Sequence, residues 1–542
     1  MRDENTFKNM DNMDNINVDN SPFYKRKIFL ISVAAGVIII VAIIIIVAAS
    51  SGDGKDNKGD GKDGKDDTTD DTTDDTSDDT SDDTTDDGEC IIGKERKCRS
   101  CKKNSKKCAT CNPGYIVNEN YNSGEECDID YSIKAIYKTE NDNQEINLLN
   151  SDYKNIITQF IVEGEEKEIS TKYTFPKAAS YTVLFKMNLA ETSKISGLFS
   201  NNKNIIYIET TQLFNITKII NMEQMFNECT SLESVNFLNL QGQKLQTIDK
   251  LFNGCSSLKN VDLVNFQANE LTSISEMFKG CISLTSVEIV SFSAPKLSST
   301  ENMFSDLTKL QKVDFTSFKV GNLKSMNKMF YNCQSLKSFD LLSFDANLLV
   351  SMDQMFSNCY GLTSINFGFA NFENVESLTK MFENCTSLKE VDLNIKTKNL
   401  KNMDQMFYNC KALTSFELGF SFKASNELSL KEMFYDCSAL KTFKFNFNQL
   451  TVKNIEKMFY KCTSLTSIDL TLFKNTGNAE SMEEMFYYCN KLTSIDISTF
   501  TTSLTSVNLF NELPSKGKII VKQSFLSLIE NQIPSDWTIS NY

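Results

Sequence analysis

The sequence predicts a mainly β chain with short helical turns, in which a long solenoid follows a small β-sandwich, a cysteine-rich module and one apolar helix. Three observations predict it. A unit of 25 to 27 residues recurs from about residue 195 onward, the signature of stacked repeats. Ten of the 16 cysteines fall at one position of that unit, while the other six cluster ahead of it. Between the two, residues 128–190 alternate apolar and polar in strand-length runs at roughly ten-residue spacing.

Composition narrows the function before any motif is read. The chain has 542 residues, 40% of them apolar, and its 39 Phe and 19 Met are enough for a large core. It has no histidine, so no imidazole-based nucleophile pair and no histidine zinc ligand can be built from it. The net charge of −15 speaks against nucleic-acid binding by overall charge. Residues 52–87 hold 16 Asp and 4 Lys, so −12 of that charge belongs to one segment.

Residues 1–27 form a polar tail too short to fold alone. Residues 28–49, IFLISVAAGVIIIVAIIIIVAA, carry no charge and are long enough to span a bilayer as a helix. Lys25, Arg26 and Lys27 precede this run and the first charge after it is Asp53, so the positive-inside rule places the tail in the cytoplasm and the rest of the chain outside. The competing reading is a cleaved signal peptide ending near Val47, Ala48 and Ala49, but the apolar run exceeds the usual signal core. The expected location is therefore the plasma membrane, with a single-pass signal anchor and extracellular repeats. Residues 50–89 read as an acidic Asp/Thr-rich stalk without a core, whose like charges keep it extended and whose hydroxyls suit O-linked sugars.

Residues 90–127 contain Cys90, Cys98, Cys101, Cys108, Cys111 and Cys127. In a cytosolic chain the two CxxC pairs would suggest zinc; outside the membrane an even number of cysteines in so short a segment reads as a disulfide framework of unknown pairing. The run CATCNPGYIV with a later cysteine resembles the EGF-like and furin-like cysteine-rich modules of cell-surface proteins. The module is also strongly basic, through Lys94, Arg96, Lys97, Arg99, Lys102, Lys103, Lys106 and Lys107. That charge suits anionic glycans or simply offsets the neighbouring stalk. In residues 128–190 the runs SIKAIY, EINLL, NIITQFIV, EISTKYTF and SYTVLFKM predict a five- or six-strand sandwich, and TFPKAASYTVLFKM resembles the last hairpin of Ig-like or PKD-like domains.

Residues 191–542 are the repeat array. MFNECTSLESVNF, MFYNCQSLKSFDL and MFYKCTSLTSIDL are three of its units, and the cysteines stand at 229, 255, 281, 333, 359, 385, 410, 437, 462 and 489. Leu307 takes the slot in one divergent unit, and Asn202 takes it in an entry turn; a cap after Leu509 and Phe510 ends about twelve units. Met222, Met225, Phe226 and Cys229, at i, i+3, i+4 and i+7, predict one face of a short helix or tight helical turn. Leu232, Val235 and Phe237 then predict a strand. One such unit cannot bury its apolar face alone, so the units must stack with a parallel sheet along one side. The pattern closely resembles the BspA-like leucine-rich-repeat family of microbial and protist surface proteins, in its MFxxCxxLxSLDLSxF variant. That resemblance implies a cell-surface binding or adhesion protein with extracellular protein or glycan ligands; the alternative is a structural coat acting by lateral self-association.

Neighbouring units bring the repeat cysteines within disulfide reach. Leu307, however, splits them into groups of three and seven, both odd, and shows that the slot accepts an apolar filler. They read as buried thiols, with occasional neighbour disulfides as the alternative. Outward on each strand, Asn236 is followed by Asp262, Glu288, Asp314, Asp340, Asn366, Asp392, Glu417, Lys444, Asp469 and Asp496, beside a ladder of serines. The acidic members are the candidate ligand face; like charges about 5 Å apart favour a cationic partner or loosely held divalent ions. Val264, Leu342, Asn394 and Thr471, at the next outward position, are candidates for selectivity. Asn215 and Asn384 head glycosylation sequons. The residues imply no cofactor, no dedicated metal site, no catalytic group and no nucleic-acid partner.

Overall fold

The computed structural model describes residues 132–541, apart from residues 212–213, 238–240, 263–265, 290–291, 316–317, 319, 341–346, 368–371, 392, 394–396, 419–421, 446–449 and 475, together with the backbone of four short strands between residues 98 and 129. The tail, the apolar run 28–49, the stalk and Cys90 lie outside the described residues. Among the described residues no helix is long and apolar enough to cross a membrane. Asp87–Tyr542 form one compact unit.

In the cysteine-rich segment β1 (Cys98–Cys101) runs antiparallel to β2 (Cys108–Cys111), in a register that sets Cys98 opposite Cys111 and Cys101 opposite Cys108. β3 (Tyr115–Val117) and β4 (Cys127–Ile129) form a second antiparallel pair.

Six strands follow, five of them in the runs the alternation predicts: β5 (Ile133–Lys138), β6 (Gln144–Asn147), β7 (Ile157–Val162), β9 (Lys172–Phe175) and β10 (Ser180–Met187), with the charged β8 (Glu165–Lys167) falling between two runs. They make an antiparallel sheet in the order β5-β10-β7-β8 and a separate antiparallel β6–β9 pair. Phe160, Phe175 and Phe185 are fully buried between them, with Phe160 stacked on Phe185 at 5.6 Å.

This β-unit continues directly into the array. β11 (Ile205–Thr210) pairs antiparallel with β5 on one side and parallel with β12 (Ser234–Phe237) on the other, so one seven-stranded sheet joins the two segments. A single hydrophobic core runs from Ile133 to Trp537. The physical reason lies in the strand edges: the first turn of a solenoid would expose an unpaired strand, and β5 covers it.

The array has eleven turns that carry Cys or Leu307 in the slot, between the entry turn and the cap. Its strands are short: β13 (Asn260–Asp262), β14 (Ser286–Glu288), β15 (Lys312–Asp314), β16 (Ser338–Asp340), β17 (Ser364–Asn366), β18 (Thr397–Asn402), β19 (Ser415–Leu418), β20 (Phe422–Ser429), β21 (Thr442–Phe445), β22 (Val452–Asn454), β23 (Ser467–Asp469) and β24 (Ser494–Ile497). Most lie on the face that begins with β12, paired in parallel; β18, β20 and β22 lie on a second face. There a run of single parallel bridges links Lys194, Asn221, Thr247, Ser273, Ser299, Ser325, Ser351, Ser377 and Asn402.

The expected helical turn is corrected. Gln224 and Glu228 sit at φ 57° and 58°, and equivalent positions in every later turn are also left-handed. The stretch is therefore a chain of β-turns, not a helix. Its N–H groups alternate: Met225, Asn227 and Cys229 donate three residues back, whereas Gln224, Phe226 and Glu228 donate to Asp249, Leu251 and Asn253 of the next turn. Hydrogen bonding between turns thus replaces the helical ladder, while Met222, Met225, Phe226 and Cys229 still share one buried face.

That face builds the core. Thirteen phenylalanines from Phe199 to Phe510 stack in one column, with centroids 5.3 to 5.8 Å apart and nearly parallel rings. Each contact of this kind contributes about 0.5–1.5 kcal/mol beyond area burial. The cap is β25 (Lys518–Val521), α1 (Gln523–Ile529) and β26 (Thr538–Asn541). The last turn has no successor, and Gln532 takes its place: Oε1 accepts from the Leu509 and Phe510 N–H groups at 2.7 and 3.2 Å, and Nε2 donates to Val507 O at 2.6 Å.

Candidate ligand-binding surface

The ten repeat cysteines are free thiols and fully buried, as the odd count and Leu307 imply. Each Sγ–H donates to the carbonyl of the stack phenylalanine one turn back, for example Cys255 to Phe226 O at 3.0 Å and Cys359 to Phe330 O at 3.1 Å. Burial pushes the thiols up, to about 12 for Cys229, Cys359 and Cys489. They are core donors and unsuited to nucleophilic or metal chemistry.

The strand register decides which of the acidic positions come together. Asn236 faces Asp262, Glu288 faces Asp314, Asp340 faces Asn366, Glu417 faces Lys444 and Asp469 faces Asp496, in parallel pairs. Beside them Ser286 faces Lys312, Ser338 faces Ser364 and Ser467 faces Ser494. Glu288, Asp340, Glu417 and Asp469 are exposed, and Asp314 and Asp496 half-buried. Asp392 lies outside the described residues, as do Val264, Leu342 and Asn394.

The ladder is less acidic than its spelling. Lys444 Nζ lies 3.4 Å from Glu417, and Lys312 Nζ lies 3.9 Å from Asp314. Asp469 and Asp496 each accept the backbone N–H two residues on, from Thr471 at 2.9 Å and Ser498 at 3.0 Å. Among the described residues no three Cys, Asp or Glu side chains converge to hold a metal ion. The face is thus a polar strip of hydroxyls and carboxylates, in which the register sets Glu288 beside Asp314 and Asp469 beside Asp496.

The two sequons differ. Asn215 is exposed, with Oδ1 accepting from Thr217 N at 3.0 Å. Asn384 is half-buried in a left-handed turn, its Nδ2 donating to Asn358 at 2.8 Å and its Oδ1 accepting from Asn409 at 2.7 Å. A sugar on Asn384 would break that ladder.

One feature of the flank escapes a repeat-by-repeat reading of the sequence. A cleft of about 680 Å³ lies where the N-terminal β-unit meets the entry turn, lined by Asn147, Asn150, Thr171, Gly197, Asn201 and Gln224 among others. Its residues come from four separate segments of the chain, so no local motif announces it.

A family model described as "Mycoplasma protein of unknown function, DUF285" matches residues 193–313, 298–418 and 416–515, tiling the array three times. The chain belongs to this family. The matched residues coincide with the turns described above. Solved structures similar to the chain include a leucine-rich repeat protein of Bacteroides ovatus, 18% identical, covering 77% of this chain and 99% of that one, with a TM-score of 0.39. Another, from Eubacterium ventriosum, is 16% identical over 55% of this chain and 72% of that one, with a TM-score of 0.22. A third, from T. pallidum, is 15% identical over 49% and 85%, with a TM-score of 0.15. No curated protein matches the chain.

Proposed function

We propose that this DUF285 chain is a cell-surface scaffold that binds a macromolecular partner along the strand face of its solenoid. One observation carries the reading: outward polar side chains repeat in register across successive turns over a fully buried core, giving an extended surface for contact. Such solenoid surfaces serve binding. The acidic pairs select a partner with matching positive charge. Residues 28–49 anchor the chain in the plasma membrane with the repeats outside, the stalk holds them clear of the surface, the six cysteines of residues 90–127 pair as disulfides, and Asn215 carries the N-linked sugar. The role is one of adhesion and not of catalysis.

An antibody epitope placed on the array tests the topology: labelling of intact cells is expected, and labelling only after permeabilisation would sink the reading. Purified residues 87–542 are expected to bind cells or matrix saturably. Self-association without saturable binding would favour a coat protein instead.

A further inference from the structure

We infer that the cleft between the N-terminal β-unit and the entry turn is a second binding site, and that its ligand is a neutral oligosaccharide. The cleft holds about 680 Å³, within the usual small-ligand range of about 300–1,000 Å³.

Its walls are prepared for hydroxyl groups. The side chains of Asn147, Thr171 and Gln224 have no hydrogen-bond partner among the described residues. Asn150 uses only Oδ1, accepting from Asp152 N at 3.0 Å, and Asn201 uses only Nδ2, donating to Ser200 Oγ at 3.1 Å. Carboxamides offer a donor and an acceptor without charge, which is what a sugar hydroxyl, itself both donor and acceptor, requires. The charged lining residues cancel: Lys172 is balanced by Glu223, whose carboxylate already accepts from Thr247 Oγ1 at 3.1 Å. Neither an anionic nor a cationic ligand is favoured.

Gly197 is the second, independent observation. It has φ 64° and occupies the left-handed position that Gln224, Lys250, Glu276 and their successors fill in later turns. Those residues show that this backbone conformation does not demand glycine here. Nor does space: a Cβ at Gly197 would meet only Ser200 Cβ, at 3.6 Å, an ordinary contact. What the missing side chain does is leave the cleft open.

The test uses residues 87–542, one compact unit, and a panel of neutral trisaccharides: maltotriose, cellotriose, mannotriose and chitotriose. Saturation-transfer NMR and calorimetry read the binding. At least one sugar is expected to bind saturably with a Kd in the millimolar range or tighter. Gly197→Gln, which copies Gln224, is expected to weaken it by at least about tenfold with Tm unchanged. Thr171→Val removes one hydroxyl at constant volume and is expected to weaken it as well; it decides the matter if Gly197→Gln perturbs folding. Absence of saturable binding by every sugar, or full affinity in the folded variants, overturns the inference. Glu288→Lys on the strand face is expected to leave sugar affinity unchanged, so this result and that for the strand-face partner fail separately.

Discussion

Each phenylalanine carbonyl of the stack has two lone pairs, and two turns use them. Phe330 O accepts from Cys333 N at 3.2 Å within its own turn and from Cys359 Sγ at 3.1 Å in the next. The cysteine slot therefore wants a small apolar residue that can also donate, which Cys provides and Leu307 provides only in part. Removing the thiol in Cys359→Ala is expected to cost about 1–2 kcal/mol, read from denaturant midpoints. The native chain should leave all ten repeat thiols unlabelled by a thiol reagent at pH 8 and label each once unfolded, since burial holds them protonated; native labelling of Cys359 would contradict this. A second residue-scale test concerns Asp249. Burial pushes its carboxyl up, against hydrogen bonds from Ser273 and the Ser275 N–H that pull it down, while Glu223 and Glu276 add to the rise. A carboxyl raised in the fold contributes most below its unfolded value and loses that contribution as pH rises through the folded value. Asp249→Asn is thus expected to raise Tm at pH 7 and to lose that advantage as pH falls toward 3. Asn327 already fills the equivalent place, accepting from Ser351 Oγ at 2.6 Å and Asp353 N at 2.8 Å.

The strands and the buried positions were legible in the residues, but the turn between them was not. Met222, Met225, Phe226 and Cys229 have helical spacing, and all are buried, so the periodicity correctly sorted inside from outside. Two left-handed residues per unit bring the same positions to one face by another path. Gly254 and Gly280, with Asn332, Asn358, Asn384 and Asn409 at equivalent places, were the available clue, because glycine and asparagine favour that region. Length also favours turns, since hydrogen bonds to the next unit outweigh those of a one-turn helix. The β-unit illustrates the opposite limit: five of its six strands were readable from alternation, yet their pairing with the array was not, because partner choice at a strand edge has no local signature. That pairing is testable. Ala135 lies on β5 opposite Val183 of β10 and Ile208 of β11. Ala135→Pro removes a ladder donor from the middle of the shared sheet and is expected to cost about 3 kcal/mol or more. If the β-unit is integral to the array, Tm of the array falls with it; an array transition unmoved while the β-unit melts would show two independent bodies.

At the scale of the molecule, one core from Ile133 to Trp537 underlies the polar faces of the array, and function must come from what those faces present. Global acidity says little about the partner, because −12 of the −15 charges sit in residues 52–87. The strand face carries its own signal in the two pairs Glu288 with Asp314 and Asp469 with Asp496, which the strand register brings side by side. The most direct test of the account is therefore binding of residues 87–542 to cells or matrix before and after charge reversal at Glu288 and Asp469, with thermal melting as a control. Saturable binding that falls at least about tenfold in the doubly reversed protein, at unchanged Tm, is the predicted result. Binding of equal strength by the folded, reversed protein would contradict it.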